Sequence, residues 1–154
     1  MNQKVEPRPS SLVTPPRVAE SPVAIECGLF RVIEVGNIYW GPDIARTRIV
    51  TEGLFLTARH VFEQLGYRRF EWKCNALNEP SRRAALRFGF TFEGVFRQHL
   101  VVRGANRDTA WYSILDSEWP RARQALEGWL DPSNFDAAGK QKRRLEDIRA
   151  GLPE

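Results

Sequence analysis

One stretch near the middle of the chain, EWKCNALNEPSRRAALRFGF at residues 71–90, most restricts how the protein folds. It continues an alternation that begins at Phe70 and places Phe70, Trp72 and Cys74 on one face of a strand, with charged or polar residues on the other. A polar turn follows, with ordinary signals for a helix start at residues 78–81. Gly89 then ends the helix. A strand leading directly into a short basic helix predicts an α/β layer arrangement.

The remaining patterns extend this arrangement. Residues 23–40 are β-branched and aromatic and predict one or two strands ending near Trp40. Apolar side chains recur at helical spacing over residues 48–65, and Gly66 ends that helix. We expect strands at residues 90–104 and 109–116, joined through GANRD, then a helix at 118–130 and a basic helical tail at 137–152. This order predicts an α/β or α+β fold with a mixed, mostly antiparallel sheet flanked by helices.

The chain is expected to have three parts. Residues 1–22 contain five prolines and no apolar period, so they predict a disordered or extended arm. Residues 23–117 are expected to form the folded domain. Residues 118–154 are expected to add a helical extension.

Composition excludes several classes of function. The net charge of +4 is compatible with an anionic ligand, but no nucleic-acid-binding motif occurs, so we do not expect a nucleic-acid partner. Cys27 and Cys74 do not form a disulfide framework, and no His or Cys cluster has metal-ligand spacing. No long apolar run predicts a membrane span. We therefore expect a cytoplasmic protein without a metal.

Several motifs occur in a linked order: IEVG on a strand, LGYRRFEWKC, N-x-x-S, FGF, EGVFRQH and NRDTAWYSIL. In this order, residues 28–120 resemble the C-terminal two-thirds of a GNAT-superfamily acetyltransferase of the RimJ/RimL-like subgroup. The resemblance implies a GNAT-like sheet. It also implies an N-acetyltransferase that moves an acetyl group directly from acetyl-CoA to a primary amine. The acceptor would be a protein N-terminus, an amino acid or a small amine.

The helix that begins near Thr47 presents unpaired N–H groups and the positive end of its dipole, where a pyrophosphate fits. Arg46 and Arg48 can add charge-assisted contacts. The resemblance places the coenzyme A pyrophosphate here, although the loop RTRIVT lacks the family's glycines. The alternative is an ordinary helix start with solvated arginines. The residues implied are Arg46, Thr47, Arg48, Ile49, Val50 and Thr51.

Two polar residues in the central turn allow two interpretations. Asn78 caps the short helix in the simpler one, with Ser81 in the first turn. The resemblance implies instead that Asn78 binds the pantetheine arm and that Ser81 lies near the thioester sulfur, where its hydroxyl protonates the departing thiolate. The two interpretations are compatible, since a cap residue also faces the ligand crevice.

The resemblance implies further catalytic groups. The backbone of Asn37, Ile38 and Tyr39 would bind the thioester carbonyl. Glu34 would orient or deprotonate the amine, directly or through water, and Glu93 is a second candidate. Otherwise Glu34 is simply a carboxylate on the outer face of a strand.

Members of this family usually carry a strand, one or two helices and a second strand before the region that matches here. The match begins at residue 28, so we expect an N-terminally truncated domain with an uncovered sheet edge and face. Such surfaces favour a homodimer. The alternative function is a catalytically impaired remnant that binds coenzyme A or a partner chain.

Overall fold

The computed structural model describes residues 31–153, together with the backbone of residues 7–8 and 17–18. The chain divides into two compact units, residues 1–31 and 32–154. In the first unit, β1 (Pro7–Arg8) pairs antiparallel with β2 (Arg17–Val18). The rest of the predicted arm, the predicted strand residues 23–30 and Cys27 lie outside the described residues.

The second unit is built on a four-stranded sheet in the order β3, β4, β6, β5. Its strands are β3 (Val32–Val35), β4 (Arg69–Asn75), β5 (Thr91–Val102) and β6 (Ala105–Leu115). The β3–β4 pair is parallel and the other two pairs are antiparallel. The parallel pair follows from the helical crossover between its strands. The mixed, mostly antiparallel sheet is thereby confirmed.

Strand β3 is shorter than predicted, because it ends at Val35 rather than near Trp40. Asn37 has a φ of 53°, a left-handed conformation that an extended strand does not contain. The chain therefore leaves the sheet five residues before the predicted end.

The first two helices match their predicted spans. Helix α1 (Arg48–Arg59) continues into a π-helical turn, His60–Gln64, before Gly66 at a φ of 64°. Helix α2 (Glu79–Phe88) ends at Gly89, whose φ of 99° is typical of a helix C-terminus.

The C-terminal part is less helical than predicted. Helix α3 (Trp119–Leu130) forms as expected, and a short 3-10 turn, Pro132–Asn134, follows. Helix α4 covers only Leu145–Ala150, so the helix predicted for residues 137–144 was wrong. Asp136 instead accepts hydrogen bonds from the backbone of Ala138 and Lys140, and Gly139 takes a φ of 77°. These contacts form a turn.

The β-hairpin turns earlier than the predicted GANRD. Its two-residue turn is Arg103 and Gly104, at φ values of 52° and 78°, as in a type I′ turn. Residues 106–108 therefore belong to β6. Asp108 supports a bulge in β5, accepting hydrogen bonds from the Gln98 backbone and the Asn106 amide.

The three longer helices pack on one face of the sheet. That face presents six buried side chains from the two central strands: Phe70, Trp72, Cys74, Ala110, Tyr112 and Ile114. Burying each large apolar side chain stabilises the fold by roughly 1.5–3 kcal/mol. Ala85 is fully buried, and its small side chain suits a close approach of α2 to the sheet. The opposite sheet face carries Glu34, Glu71 and Lys73.

Candidate active site

A cavity of about 1030 Å³ opens where β3 and β4 separate. Their pairing ends at Val35 and Trp72, while β4 continues to Asn75. Lys73, Cys74 and Asn75 therefore line the cavity along a strand edge that β3 no longer covers. An unpaired strand edge offers backbone donors and acceptors to an extended ligand.

The cavity brings together most of the residues singled out from the sequence. Tyr39 and Ile49 are not among the lining residues, and their side chains are 83% and 65% exposed. Glu34 also lies outside the lining. Those that line it are Asn37, Ile38, Arg46, Thr47, Arg48, Val50, Thr51, Asn78 and Ser81.

The start of α1 is open to a ligand. Thr47 makes no side-chain hydrogen bond to the first turn, because its hydroxyl donates to the Ile44 carbonyl at 2.6 Å. The first turn also contains no acidic residue. Its backbone N–H groups and the helix dipole therefore favour an anion at this end.

The two arginines beside that helix start differ in their surroundings. Arg48 donates to the Leu130 carbonyl at the end of α3, and its guanidinium lies 4.9 Å from the centroid of the Phe135 ring. Arg46 has a φ of 65° and makes no hydrogen bond or ion pair with another described residue. Arg46 is thus the freer cation.

The start of α2 contains a cap and a hydroxyl in contact. Asn78 accepts a hydrogen bond from the Ser81 backbone at 3.2 Å, which confirms the capping interpretation. The Trp72 indole N–H donates to the Ser81 hydroxyl oxygen at 2.9 Å. A hydroxyl has one donor and two acceptor sites, so this contact leaves the Ser81 proton available. The alternation of β4 places Trp72 on the helix-facing side, but nothing in the sequence indicates this bond.

The cavity is strongly cationic. None of the described lining residues is an aspartate, glutamate or histidine. Burial lowers the pKa of Arg87, whose guanidinium donates to the Thr51 hydroxyl at 3.1 Å. The buried Nε of Arg107 has no hydrogen-bond partner among the described residues. Sequence reasoning missed Lys73, Arg107 and Lys140 as lining residues. The six basic lining residues are Arg46, Arg48, Lys73, Arg87, Arg107 and Lys140.

Glu34 belongs to a charge cluster beside the cavity. The Lys73 ammonium lies 2.9 Å from a Glu34 carboxylate oxygen and 3.3 Å from a Glu71 oxygen. Burial opposes the charged form of Lys73, but the hydrogen bonds to Glu34 and Glu71 outweigh it and raise its pKa. A Cβ added at Gly36 would lie 3.2 Å from Glu34, so the glycine leaves room for that carboxylate.

Glu93 is held away from the cavity by two partners. Arg69 binds both of its carboxylate oxygens, and the Ser113 hydroxyl donates to one of them at 2.6 Å. The hydrogen bond from Arg69 lowers the pKa of Glu93 against the opposing effect of burial. A carboxylate with a lowered pKa and engaged oxygens is a poor base.

Neither a metal-binding cluster nor a membrane-spanning helix occurs in the described part of the chain. Residues 31–153 hold no group of three His, Cys, Asp or Glu side chains arranged to bind a metal. No helix within the described residues has the length and apolarity needed to cross a bilayer.

Comparison with known proteins identifies related chains. The family model for the acetyltransferase (GNAT) domain matches residues 17–91. A Bacillus subtilis (strain 168) protein, provisionally named the ribosomal N-acetyltransferase YdaF, is 33% identical over 90 residues, covering 58% of this chain and 48% of its own length. The chain spans about half of that relative.

Solved structures show the same fold. A GCN5-related N-acetyltransferase from Brucella melitensis is 55% identical, with a TM-score of 0.77, over 88% of this chain and 58% of its own. RimJ from Mycobacterium smegmatis, solved in complex with CoA-disulfide, is 30% identical with a TM-score of 0.53, over 62% of this chain and 46% of its own. In both cases the matched region covers less than two thirds of the related chain.

Proposed function

We propose that this chain is an acetyltransferase of the GNAT family and that it transfers an acetyl group directly from acetyl-CoA to a primary amine, a proposal supported by its similarity to the GNAT domain model and to solved acetyltransferases. The supporting observation is the cavity between β3 and β4, with six basic lining residues and no acidic one among those described. Coenzyme A is long and carries a pyrophosphate and a 3′-phosphate. A long cationic cavity suits such a ligand.

The coenzyme would bind along two helices. Its pyrophosphate would lie at the start of α1, on the backbone N–H groups of residues 47–51, with Arg46 as a charged partner. Arg48 would contribute charge while remaining packed against Phe135. The pantetheine arm would follow the open edge of β4 toward Asn78.

Acetyl transfer requires alignment of the amine with the thioester. The amine nitrogen attacks the thioester carbonyl, a C–N bond forms, and the C–S bond breaks as the thiolate leaves. Backbone N–H groups at residues 37–39 would stabilise the oxyanion. Ser81 would donate its proton to the thiolate and regain one from solvent, and the hydrogen bond from Trp72 would orient its hydroxyl for this step.

Glu34 is the proposed group for orienting or deprotonating the amine, directly or through water. Its support is the 2.9 Å contact with Lys73, which itself lines the cavity. Lys73 thereby links the Glu34 carboxylate to the cavity lining. An amine acceptor would approach from this side.

A thiol-release assay with acetyl-CoA and a panel of amines tests the proposal. The panel should hold peptides with free N-termini, including ribosomal-protein sequences, as well as amino acids and small amines. Ser81→Ala should lower kcat more than it changes KM, because the hydroxyl acts on the leaving group. Ser133→Ala, on an exposed turn outside the cavity, is the control. A folded protein that binds acetyl-CoA but transfers to no amine would overturn the proposal.

One observation favours a second candidate, a chain that binds coenzyme A without turnover. The described lining residues offer no carboxylate or histidine to deprotonate an amine, and Glu34 is paired with Lys73. Saturable binding in a calorimeter, with no thiol release at any pH between 6 and 9, would favour this candidate over the transferase.

The assembly and setting are also proposals. Edge strand β5 exposes Phe96 and Val101, at 57% and 78%, which supports a homodimer formed along this edge. Sedimentation of the purified chain tests it. We propose a cytoplasmic setting, supported by the buried free thiol of Cys74.

A further inference from the structure

The cavity is closed on one side by residues that follow the family match. We call this surface the C-terminal wall and define it as Trp129, Phe135, Gly139, Lys140 and Gln141. The family model ends at residue 91, so the match gives these residues no role. They nevertheless face the same space as Thr51 and Ser81.

The wall is held in place by specific contacts. The Asn134 side chain is buried, and its amide donates to the carbonyls of Trp129 and Arg143 and accepts from the Arg143 backbone. Phe135 and Gln141 pair as a β-bridge, and the Trp129 indole donates to the Gln141 side chain at 2.7 Å. These bonds fix the positions of the wall residues relative to one another.

The wall joins aromatic rings to basic groups. Trp129 and Phe135 meet edge to face, with ring centroids 5.2 Å apart. The Arg87 guanidinium lies 4.9 Å from the Trp129 ring centroid, and the Arg48 guanidinium lies 4.9 Å from that of Phe135. The Lys140 ammonium makes no hydrogen bond or ion pair with another described residue. Trp129 is buried and each ring already packs against an arginine, so the rings hold cations in place at the cavity wall. Cations fixed in this way suit a phosphate.

Arg87 is a partly buried cation that has no anionic hydrogen-bond partner among the described residues. It is half-buried, and among the described residues its guanidinium donates to the neutral hydroxyl of Thr51 and packs on the rings of Phe88 and Trp129. A guanidinium has five N–H donors, and a buried charge is normally paired. Burial lowers the pKa of Arg87, and the neighbouring Arg149 adds to this, while Glu146 opposes it. An anion entering the cavity would relieve this desolvation.

Position along α2 indicates which part of the ligand reaches the wall. Asn78 and Ser81 lie at the start of this helix and Arg87 at its end, so Asn78 and Arg87 are roughly 14 Å apart along the axis. Arg48 and Thr51, at the start of α1, contact the wall or Arg87. The C-terminal wall thus adjoins the region where the pyrophosphate of coenzyme A would bind and lies away from the region of the thioester.

We propose that the C-terminal wall binds the adenosine 3′-phosphate of coenzyme A, with Arg87 and Lys140 as the cations that contact this phosphate. The inference rests on the proposed function, because it concerns the same ligand. It adds that residues 129–141 belong to the coenzyme site. It also predicts that the protein distinguishes coenzyme A from the analogue lacking the 3′-phosphate.

Calorimetric titration of the full chain with coenzyme A, 3′-dephospho-coenzyme A and adenosine 3′,5′-bisphosphate tests the inference. Coenzyme A should bind at least about tenfold more tightly than the dephospho form, because a charge-assisted contact is lost. Lys140→Ala should reduce this ratio severalfold, because it should weaken the binding of coenzyme A more than that of dephospho-coenzyme A. Adenosine 3′,5′-bisphosphate should bind the wild type more tightly than the Lys140→Ala variant.

Two control variants separate loss of the proposed phosphate contact from a general loss of positive charge. Lys142→Ala removes a nearby lysine that lies outside the cavity, and Arg83→Met serves as the control for Arg87→Met one turn earlier on α2. Should Arg87→Met fail to fold, Lys140→Ala, on an exposed turn, still decides the matter.

Each outcome has a definite meaning. Equal affinity of the wild type for coenzyme A and its dephospho form would overturn this inference but leave the proposed function intact. An equal effect of Lys142→Ala and Lys140→Ala on the ratio would also overturn it. Binding of neither coenzyme form by the folded protein would overturn the proposed function and this inference together.

Discussion

Substitution of Asn78 separates a structural role from a ligand role. Its side chain caps α2 through one hydrogen bond of 3.2 Å from the Ser81 backbone. The bond is long and Asn78 is exposed, so Asn78→Ala should lower the free energy of unfolding by about 0.5–1 kcal/mol, the lower part of the range for caps. Asn78→Ser and Asn78→Asp keep a capping oxygen and should stay within a few tenths of a kcal/mol of the wild type.

The Asn78 variants should rank differently in their affinity for acetyl-CoA than in their stability. Asn78→Ser retains the cap but removes the amide donor, so a lost hydrogen bond of about 0.5–1.5 kcal/mol should raise the Kd roughly 3- to 10-fold. Asn78→Asp has almost the same shape and should weaken binding at least as much, because it replaces the donor with a carboxylate. Urea unfolding and calorimetry on the same preparations measure both quantities.

Two results would refute this reasoning. If Asn78→Ala is as stable as the wild type, the hydrogen bond to Ser81 does not cap the helix in solution. If Asn78→Ser binds acetyl-CoA as tightly as the wild type, the amide has no part in the coenzyme site. A Kd that changes only in the variant that loses stability would assign Asn78 a purely structural role.

Three further predictions concern stability, each measured by urea unfolding. Arg69 lowers the pKa of Glu93, so this ion pair stabilises the fold at pH values above the ordinary glutamate pKa. The stabilisation is lost as the pH falls through the lowered pKa of Glu93. In Arg69→Met the free energy of unfolding should therefore fall less steeply below about pH 4.5. Gly53→Ala, in the exposed interior of α1 with open space around it, should stabilise by about 0.5–1 kcal/mol, whereas Gly89→Ala, at a φ of 99°, should destabilise by about 1–2 kcal/mol. Arg103→Asn should stabilise the hairpin by about 0.5 kcal/mol, since asparagine tolerates the φ of 52° better than arginine does. A pH profile unchanged in Arg69→Met, the same sign for both glycine variants, or a less stable Arg103→Asn would contradict the respective argument.

Local patterns in the sequence were sufficient for much of the fold. The alternation around Trp72 and the apolar spacing in α1 depend on neighbours two to four residues away, which are visible in the sequence. The cap at Asn78 and the helix end at Gly89 follow from local backbone chemistry in the same way. The hairpin turn was predicted in GANRD, which has the composition of a turn, but it forms at Arg103 and Gly104.

The candidate site depended on contacts between distant parts of the chain. Arg87 and Thr51 are 36 residues apart, and the hydrogen bond between them exists only because α1 and α2 pack side by side on the sheet. The C-terminal wall meets α1 through Arg48, after a turn that the basic composition of the tail had suggested was helical. The sequence by itself determined the elements and their resemblance to a family, because both are written in short-range patterns. Only the tertiary structure decided which basic side chains line one cavity whose described lining residues include no carboxylate, because that depends on which surfaces pack together.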